Sequence, residues 1–314
     1  MLDYKFDPEL AALVPMLPKT SEDLAATRAQ MAALIEAMNA NVDVTGLSVE
    51  DRTVPGSEAA PQVPTRIYKP DQRPNPTAAV IYIHGGGFIL GNLESEHGAA
   101  ARLAIELGVV VVSVGYRLAP EHPFPAAVED CYAVLQWVDA AANELGIDPQ
   151  RIGVIGNSAG GGLAAAIAMM ARDRKGATPC FQFLGMPELD DRMDTPSMQR
   201  FVDTPLFSRP QAERSWRHYL GEHTGEVSPY AAPARATDLS RLPPAFISVM
   251  EFDPLRDEGI TYGLKLLQAG VAVEMHTYPG TFHGSPAIMF AEISRRQAAE
   301  QLDVLRRALH CGVE

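Results

Sequence analysis

The chain has 314 residues, 46% of them hydrophobic, which is enough for a large globular domain with a buried core. Its formal net charge is −13 and its lysines and arginines are not clustered, so we expect neither nucleic acid nor an anionic membrane as a partner. Three widely spaced cysteines, Cys131, Cys180 and Cys311, do not form a disulfide framework, and the N-terminus lacks the pattern of a signal peptide. We therefore expect reduced thiols and a cytoplasmic location.

Residues 1–45 have a helical pattern and precede the first extended segment. Apolar side chains recur on one face of a helix in this region: Leu24, Met31, Leu34, Ile35 and Met38. From residue 47 the pattern changes, and Leu47–Val54 and Val63–Tyr68 predict a β-hairpin joined by a loop that contains proline and glycine.

Strands and helices then alternate along the chain. Apolar runs predict buried strands at Ala79–Ile83, Gly108–Val114, 151–155, Phe181–Leu184, Ala245–Met250 and Val271–Tyr278. Helices are predicted at 94–107, from Pro125 to about Leu145, from Leu163 to Met170, at 257–269 and from Pro286 to Leu309. The alternation is interrupted over residues 187–235, which are polar and proline-rich, with a predicted helix at 211–220. This order predicts an α/β fold built on a mostly parallel, doubly wound sheet of eight strands.

Two glycine-rich stretches directly follow predicted strands. Gly156-Asn157-Ser158-Ala159-Gly160 lies between a strand and a helix, which is the context of a nucleophile elbow. Its flanking glycines let the strand and the helix pass each other without a side-chain clash. His84-Gly85-Gly86-Gly87 follows the strand that ends at Ile83, and backbone amides without side chains suit an oxyanion hole.

A serine nucleophile needs a base to take its proton and a third group to orient that base. In α/β-hydrolases the chain order is serine, acid, histidine, and Asp253 and His283 follow Ser158 in that order. Both lie at predicted strand ends. Asp257 is the competing acid, but it begins a predicted helix, where an acidic residue complements the helix dipole. No spacing of histidines, acids or cysteines predicts a metal site, so we expect no metal and no cofactor.

Five stretches of the chain also resemble the sequence motifs of a known family. They are His84-Gly85-Gly86-Gly87-Phe88, residues 116–121, Gly156-Asn157-Ser158-Ala159-Gly160, residues 253–257 and Phe282-His283-Gly284. Over roughly residues 60–310 the chain resembles the bacterial hormone-sensitive-lipase-like carboxylesterases. Residues 187–192 and 201–205 resemble the actinobacterial heroin-esterase type within that family.

The resemblance implies a carboxylic ester hydrolase that acts on short to medium acyl esters through an acyl-enzyme intermediate. It implies a catalytic triad of Ser158, Asp253 and His283, and an oxyanion hole made by the amides of Gly86, Gly87 and Ala159. It also implies a helical cap, formed by residues 1–45 and a second segment at about 187–225, on an α/β-hydrolase catalytic domain of residues 46–314. Asn157 departs from the family, where aspartate is the commoner residue before the serine.

Several alternatives stay open at this point. Five apolar side chains are candidates for the substrate pocket, or equally for the core of the cap: Phe88, Leu90, Leu206, Phe207 and Trp216. The same triad would serve an amidase, a lactonase or an acyltransferase. A non-catalytic ligand-binding receptor is disfavoured because His283 is present. The expected partner is a small-molecule ester, and the sequence leaves a homodimer open.

Overall fold

A computed structural model of the chain describes residues 4–18, 21, 23–57, 60–222 and 225–309. At its centre is an eight-stranded sheet in the order β1-β2-β4-β3-β5-β6-β7-β8. The strands are β1 (Leu47–Val54), β2 (Val63–Pro70), β3 (Thr77–Ile83), β4 (Val110–Val114), β5 (Ile147–Asn157), β6 (Phe181–Gly185), β7 (Ala245–Phe252) and β8 (Val273–Phe282). Strand β2 is antiparallel to both of its neighbours, and the other pairs are parallel. The predicted fold class is therefore confirmed.

Helices cover both faces of this sheet. The helices of the described residues, including those beside the sheet edge, are α1 (Pro8–Leu13), α2 (Leu24–Asn39), α3 (His97–Leu107), α4 (Ala126–Ala140), α5 (Ala142–Leu145), α6 (Ala159–Arg174), α7 (Pro196–Arg200), α8 (Arg209–Leu220), α9 (Arg256–Gln268) and α10 (Glu292–Ala308). Helices α3 and α10 share one apolar cluster with the sheet, whereas α4, α6 and α9 belong to the cluster on its other face. Strands β3, β4 and β6 are buried along their whole length, as expected for strands covered on both faces.

Some element boundaries differ from the sequence-based expectation. The helix predicted to begin at Pro286 begins at Glu292, because the chain first forms a 3-10 turn at Ser285–Ala287. The helix predicted to run to Leu145 is interrupted at Ala141, between α4 and α5. Strand β8 continues past Pro279 and Gly280 to Phe282, since a register shift lets Phe282 pair with Phe252 of β7.

The parallel register brings the carboxyl ends of the inner strands to one edge of the sheet. Ile83 of β3 is in register with Gly156 of β5, and Asn157 of β5 is in register with Gly185 of β6. On the other side, β7 and β8 end together at the Phe252–Phe282 pair. The residues that follow these strands therefore gather along one edge, which is where ligands bind in open α/β sheets.

Helix α6 packs very closely against this edge. A Cβ atom at Gly160 would lie 2.1 Å from the carbonyl oxygen of Ile83 and 2.6 Å from that of His84. A Cβ atom at Gly156 would lie 2.1 Å from the carbonyl oxygen of Gly160. Only glycine allows these backbone approaches, so both glycines fix the turn between β5 and α6.

The N-terminal segment crosses the same edge of the molecule. The Asp7 amide donates to the Gly280 carbonyl at 2.9 Å, and Leu10 is fully buried in a small apolar cluster with Phe282 and Ala291. The Tyr4 hydroxyl donates to Asp203 at 2.6 Å. Residues 4–10 therefore contact both the end of β8 and the segment that follows α7.

Helix α2 is less buried than its apolar pattern suggests. Asp23 caps it by accepting hydrogen bonds from the amides of Ala25 and Ala26. Met31 and Ile35 are half-buried, whereas Leu34 and Met38 are 42% and 59% exposed. Polar contacts tie the helix down instead: Arg28 donates to the carbonyl oxygens of Ile89 and Ala119 and pairs with Glu121 at 2.7 Å.

Two further findings concern the described residues alone. None of the helices within these ranges is both long and apolar enough to cross a membrane. Cys131 is a buried free thiol, and Cys311 lies outside the described residues.

The close approach at Gly160 generates a stability prediction. We expect Gly160→Ala to lower the free energy of unfolding by about 3 kcal/mol or more, because the added methyl group meets rigid backbone atoms. Denaturant unfolding measures this change. Gly98→Ala is the matched control, since a Cβ atom there meets only the tip of the Val42 side chain, and we expect a change within about 1 kcal/mol. Equal losses in the two variants would contradict this explanation.

Candidate active site

Three side chains from separate strand ends form a hydrogen-bonded relay. Ser158 follows β5, Asp253 follows β7 and His283 follows β8. His283 Nε2 lies 3.0 Å from Ser158 Oγ, and His283 Nδ1 lies 2.8 Å from Asp253 Oδ2. With the Nδ1 proton donated to Asp253, Nε2 is free to accept the proton of the serine hydroxyl. The arrangement has the geometry that nucleophilic catalysis by serine requires.

The relay is sheltered from solvent. Ser158 and His283 are each 7% exposed, and Asp253 is fully buried. The other carboxylate oxygen of Asp253 accepts a hydrogen bond from the Leu255 amide at 2.9 Å. The carboxylate is therefore held by the backbone on one side and by the imidazole on the other.

The backbone at Ser158 is strained in the way that a nucleophile elbow requires. Its φ is +57° and its ψ is −125°, a conformation that side-chain-bearing residues rarely adopt. The Ser158 amide donates to the Gly185 carbonyl at 2.8 Å, and the Ser158 carbonyl accepts from the Glu188 amide at 3.0 Å. Hydrogen bonds on both sides of the residue hold the turn.

Asp257, the competing acid, has other partners. Its carboxylate accepts a hydrogen bond from the Ser197 amide at 2.7 Å and pairs with Arg256 at 2.8 Å. Asp257 thus fixes the start of α9 against α7, whereas His283 is bonded to Asp253.

The glycine loop after β3 runs directly beside Ser158. A Cβ atom at Gly85 would lie 3.0 Å from the Asn157 carbonyl oxygen and 3.4 Å from Ser158 Cβ. Gly86 and Gly87 have positive φ angles of 116° and 58°, and neither amide donates to a backbone carbonyl in the described part of the chain. Ala159 is the first residue of α6, where the amide has no partner within the helix. Gly85 and Ala159 thus lie next to the serine, and Gly86 and Gly87 follow Gly85 in the same loop.

His84 holds this loop in place. Its ring stacks on Tyr116 with the centroids 4.1 Å apart, and its Nδ1 lies 2.8 Å from the Gly85 carbonyl oxygen. The Tyr116 hydroxyl donates to the His84 carbonyl at 3.0 Å. Burial lowers the pKa of His84 to about 4, so its ring is neutral at ordinary pH.

Asn157 belongs to a polar network beneath the same loop. Its side-chain amide donates to the Tyr82 hydroxyl at 3.4 Å, and that hydroxyl donates to Glu96 at 3.2 Å. Burial raises the pKa of Glu96 to about 7, opposed by hydrogen bonds from Tyr82 and from the Gly85 amide. Asn157 is therefore linked to the glycine loop through two other side chains.

The five candidate pocket residues lie in three different places. Phe88 and Trp216 are 1% and 2% exposed, and Phe88 stacks on Tyr219 at 3.9 Å, so these two side chains belong to the core. Phe207 lies beside the relay, with its ring centroid 4.5 Å from that of His283. A Cβ atom at Gly284 would lie 3.0 Å from a terminal methyl group of Leu206. Leu90 lines a cavity of about 490 Å³ together with Met31 and Ile35 of α2.

Two residues that contact the site are not predicted as site residues from the sequence. Ser215 of α8 donates from Oγ to the Gly87 carbonyl at 2.9 Å, and Glu188 donates from its amide to Ser158. Ser215 is 128 positions from Gly87 and lies in no motif, so no sequence signal points to this contact. Glu188 lies in a stretch that carries a family resemblance, but nothing in the sequence shows that its carboxyl group is buried.

The chain is similar to several known proteins. A family profile described as alpha/beta hydrolase fold matches residues 80–287. Carboxylesterase NlhH of Mycobacterium tuberculosis is 37% identical over 310 residues, which cover 97% of this chain and 96% of that protein. A solved bacterial heroin esterase is 52% identical with a TM-score of 0.95, covering 97% of this chain and 98% of its own. Esterase LipW from Mycobacterium marinum is 39% identical with a TM-score of 0.88, covering 97% and 96%.

The two aspartates give a direct prediction. We expect Asp253→Asn to reduce kcat for a p-nitrophenyl ester by roughly 10⁴-fold, because the amide can donate to Nδ1, which favours the wrong tautomer of His283, and has no charge to stabilise the imidazolium. Asp257→Asn is the matched control, and we expect a loss of less than about tenfold, since its partners lie outside the relay. Steady-state kinetics on both folded variants measure the two effects. A large loss in Asp257→Asn with little loss in Asp253→Asn would reverse the assignment of the acid.

Proposed function

We propose a mechanism and a substrate class for this chain, which belongs to the α/β-hydrolase family and is a serine ester hydrolase. Its relatives and structural neighbours include carboxylesterases of the hormone-sensitive-lipase-like branch. The proposed activity is the hydrolysis of short to medium acyl esters through a covalent acyl-enzyme.

In the proposed reaction, Ser158 Oγ attacks the ester carbonyl carbon while His283 Nε2 takes the serine proton. Asp253 orients the imidazole and stabilises its charged form. The amides of Gly86, Gly87 and Ala159 donate hydrogen bonds to the oxyanion of the tetrahedral intermediate. When the intermediate collapses, the bond to the alcohol breaks and His283 gives its proton to the departing oxygen. Water, activated by the same histidine, then attacks the acyl-serine and releases the acid.

The observation that carries this proposal is the continuous relay from Ser158 through His283 to Asp253, at 3.0 and 2.8 Å. A serine hydroxyl is a poor nucleophile unless a base accepts its proton in the transition state. Here the base is already at hydrogen-bond distance, and the buried carboxylate fixes which ring nitrogen faces the serine. The backbone strain at Ser158 supports the same conclusion, because strain of this kind persists only where the surrounding structure enforces it.

The proposed substrate size rests on the side chains around His283. Phe207 and Leu206 present apolar surface beside the relay, and both come from the segment after α7. The N-terminal residues approach the same region, since Tyr4 bonds Asp203 and packs its ring against Phe201 at 5.9 Å. These contacts support a cap built from residues 1–45 and about 187–225 over a catalytic domain of residues 46–314. Such a cap limits the acyl group to a short or medium chain and excludes water from the oxyanion.

We also propose that the enzyme works in the cytoplasm. Cys131 is a buried free thiol, which supports a reducing compartment.

A chain-length series tests the proposed substrate class. We expect kcat/KM to be highest for acyl groups of roughly two to eight carbons, because a capped pocket of ordinary size encloses such chains completely. We also expect no increase in rate when the substrate exceeds its solubility and forms an interface. Ser158→Ala is the control and should lose at least about 10³-fold in kcat while remaining folded. A preference for emulsified long-chain triglyceride would contradict the proposed substrate class.

A further inference from the structure

Glu188 lies directly behind the nucleophile, in the loop after β6. Its amide donates to the Ser158 carbonyl at 3.0 Å. Its own carbonyl oxygen packs against α6 so closely that a Cβ atom at Gly162 would lie 2.2 Å from it. The backbone of Glu188 is therefore fixed to the nucleophile elbow on both sides, and its side chain has little freedom to move away.

The carboxyl group of Glu188 is buried without a strong partner. The residue is 0% exposed, and neither carboxyl oxygen has a hydrogen bond of standard geometry to the described residues. The Ser215 hydroxyl on α8 lies close enough to this carboxyl group to lower its pKa. A buried carboxylate that lacks a paired cation is costly, so the neutral acid is the favoured form.

Ser215 connects this carboxyl group to the glycine loop. Its hydroxyl donates to the Gly87 carbonyl at 2.9 Å, and a Cβ atom at Gly87 would lie 3.0 Å from Ser215 Oγ. This hydrogen bond constrains the peptide group that follows Gly87, whose φ is 58°. A change in the hydrogen bonding of Ser215 thus acts on a residue whose amide is a proposed oxyanion donor.

The groups that face Glu188 are acids and phenols from four elements. They are Asp253 after β7, Glu258 on α9, Tyr219 on α8 and Tyr116 after β4. Burial and, to a smaller extent, the charge of Asp253 raise the pKa of Glu188 to about 8, and the contact with Ser215 opposes this rise. Burial also raises the pKa of Glu258 well above its usual range. The acid form of Glu188 therefore predominates at neutral pH, and the carboxylate forms as the pH rises through about 8.

We propose that Glu188 is a positioning residue that acts, as a neutral acid, through Ser215 on the oxyanion loop. The acid proton is donated to Ser215 Oγ, which leaves the serine proton for the Gly87 carbonyl. When Glu188 loses its proton it can only accept hydrogen bonds, so the Ser215 hydroxyl turns toward the carboxylate and releases Gly87. The new negative charge, on a residue that is bonded to the Ser158 backbone, also opposes the formation of the oxyanion. This inference rests on the proposed function.

The pH dependence of kcat tests the inference. In the wild-type enzyme kcat falls as the pH rises through about 8, whereas KM changes little, because the oxyanion forms only after substrate binds. Glu188→Gln keeps the shape and a donor to Ser215 but cannot ionise. We expect the kcat of Glu188→Gln to stay level from pH 7.5 to pH 9.5. Glu188→Leu offers Ser215 no donor, and we expect it to lower kcat at pH 7 by about tenfold without a matching rise in KM.

Three controls make the result specific. Glu258 is a second buried carboxyl group, and it accepts a hydrogen bond from the Leu189 amide at 2.6 Å rather than contacting Ser215. The Glu258→Gln variant should therefore keep the decline of kcat at alkaline pH. Spontaneous ester hydrolysis is measured with Ser158→Ala and subtracted. Labelling of Ser158 by a fluorophosphonate at pH 7 reports on the triad itself, so its failure counts against the proposed function rather than against Glu188.

The inference is overturned if Glu188→Gln keeps the alkaline decline at the wild-type midpoint, or if Glu258→Gln abolishes the decline equally well. It is also overturned if a folded Glu188→Leu variant has wild-type kcat at pH 7.

Discussion

The parallel register of the inner strands is the constraint on which the site depends. His84, Ser158, Asp253 and His283 are each the first residue after a strand, and the register aligns the ends of those strands. Because side chains alternate along a strand, a slip of one residue would turn the next side chain to the opposite face. The relay distances of 2.8 and 3.0 Å are thus set by strand pairing as much as by the side chains themselves.

The strain at Ser158 is the second constraint, and the surrounding glycines make it tolerable. A positive φ in a residue with a side chain costs on the order of 1–3 kcal/mol. The close contacts of Gly156 and Gly160 leave the chain little other path between β5 and α6. Hydrogen bonds from Ser158 to Gly185 and from Glu188 to Ser158 then hold the turn from outside. The bond from Glu188 also places this residue next to the nucleophile, so Glu188 both supports the elbow and has the proposed positioning role.

The sequence predicted what depends on local pattern. The fold class follows from the alternation of strands and helices, and the positions of Ser158, Asp253 and His283 at strand ends follow from motif and chain order. Contacts between distant segments could not be predicted in this way. An apolar residue at a motif position, such as Phe88, looks the same in sequence whether it faces a substrate or stacks on Tyr219 in the core. The contact of Ser215 with Gly87 depends on how α8 docks, and the attachment of α2 depends on Arg28 binding backbone carbonyls far along the chain.

The central claim, that Ser158 carries the acyl group during turnover, is tested most directly by trapping that intermediate. The enzyme is mixed with an ester whose acyl group hydrolyses slowly, quenched in acid within milliseconds and digested for mass spectrometry. The account predicts that the mass of one acyl group appears on the peptide containing Ser158, in proportion to the burst of released alcohol, and that Ser158→Ala shows neither. An acyl group on a different residue, or a burst that persists in Ser158→Ala, would contradict the account.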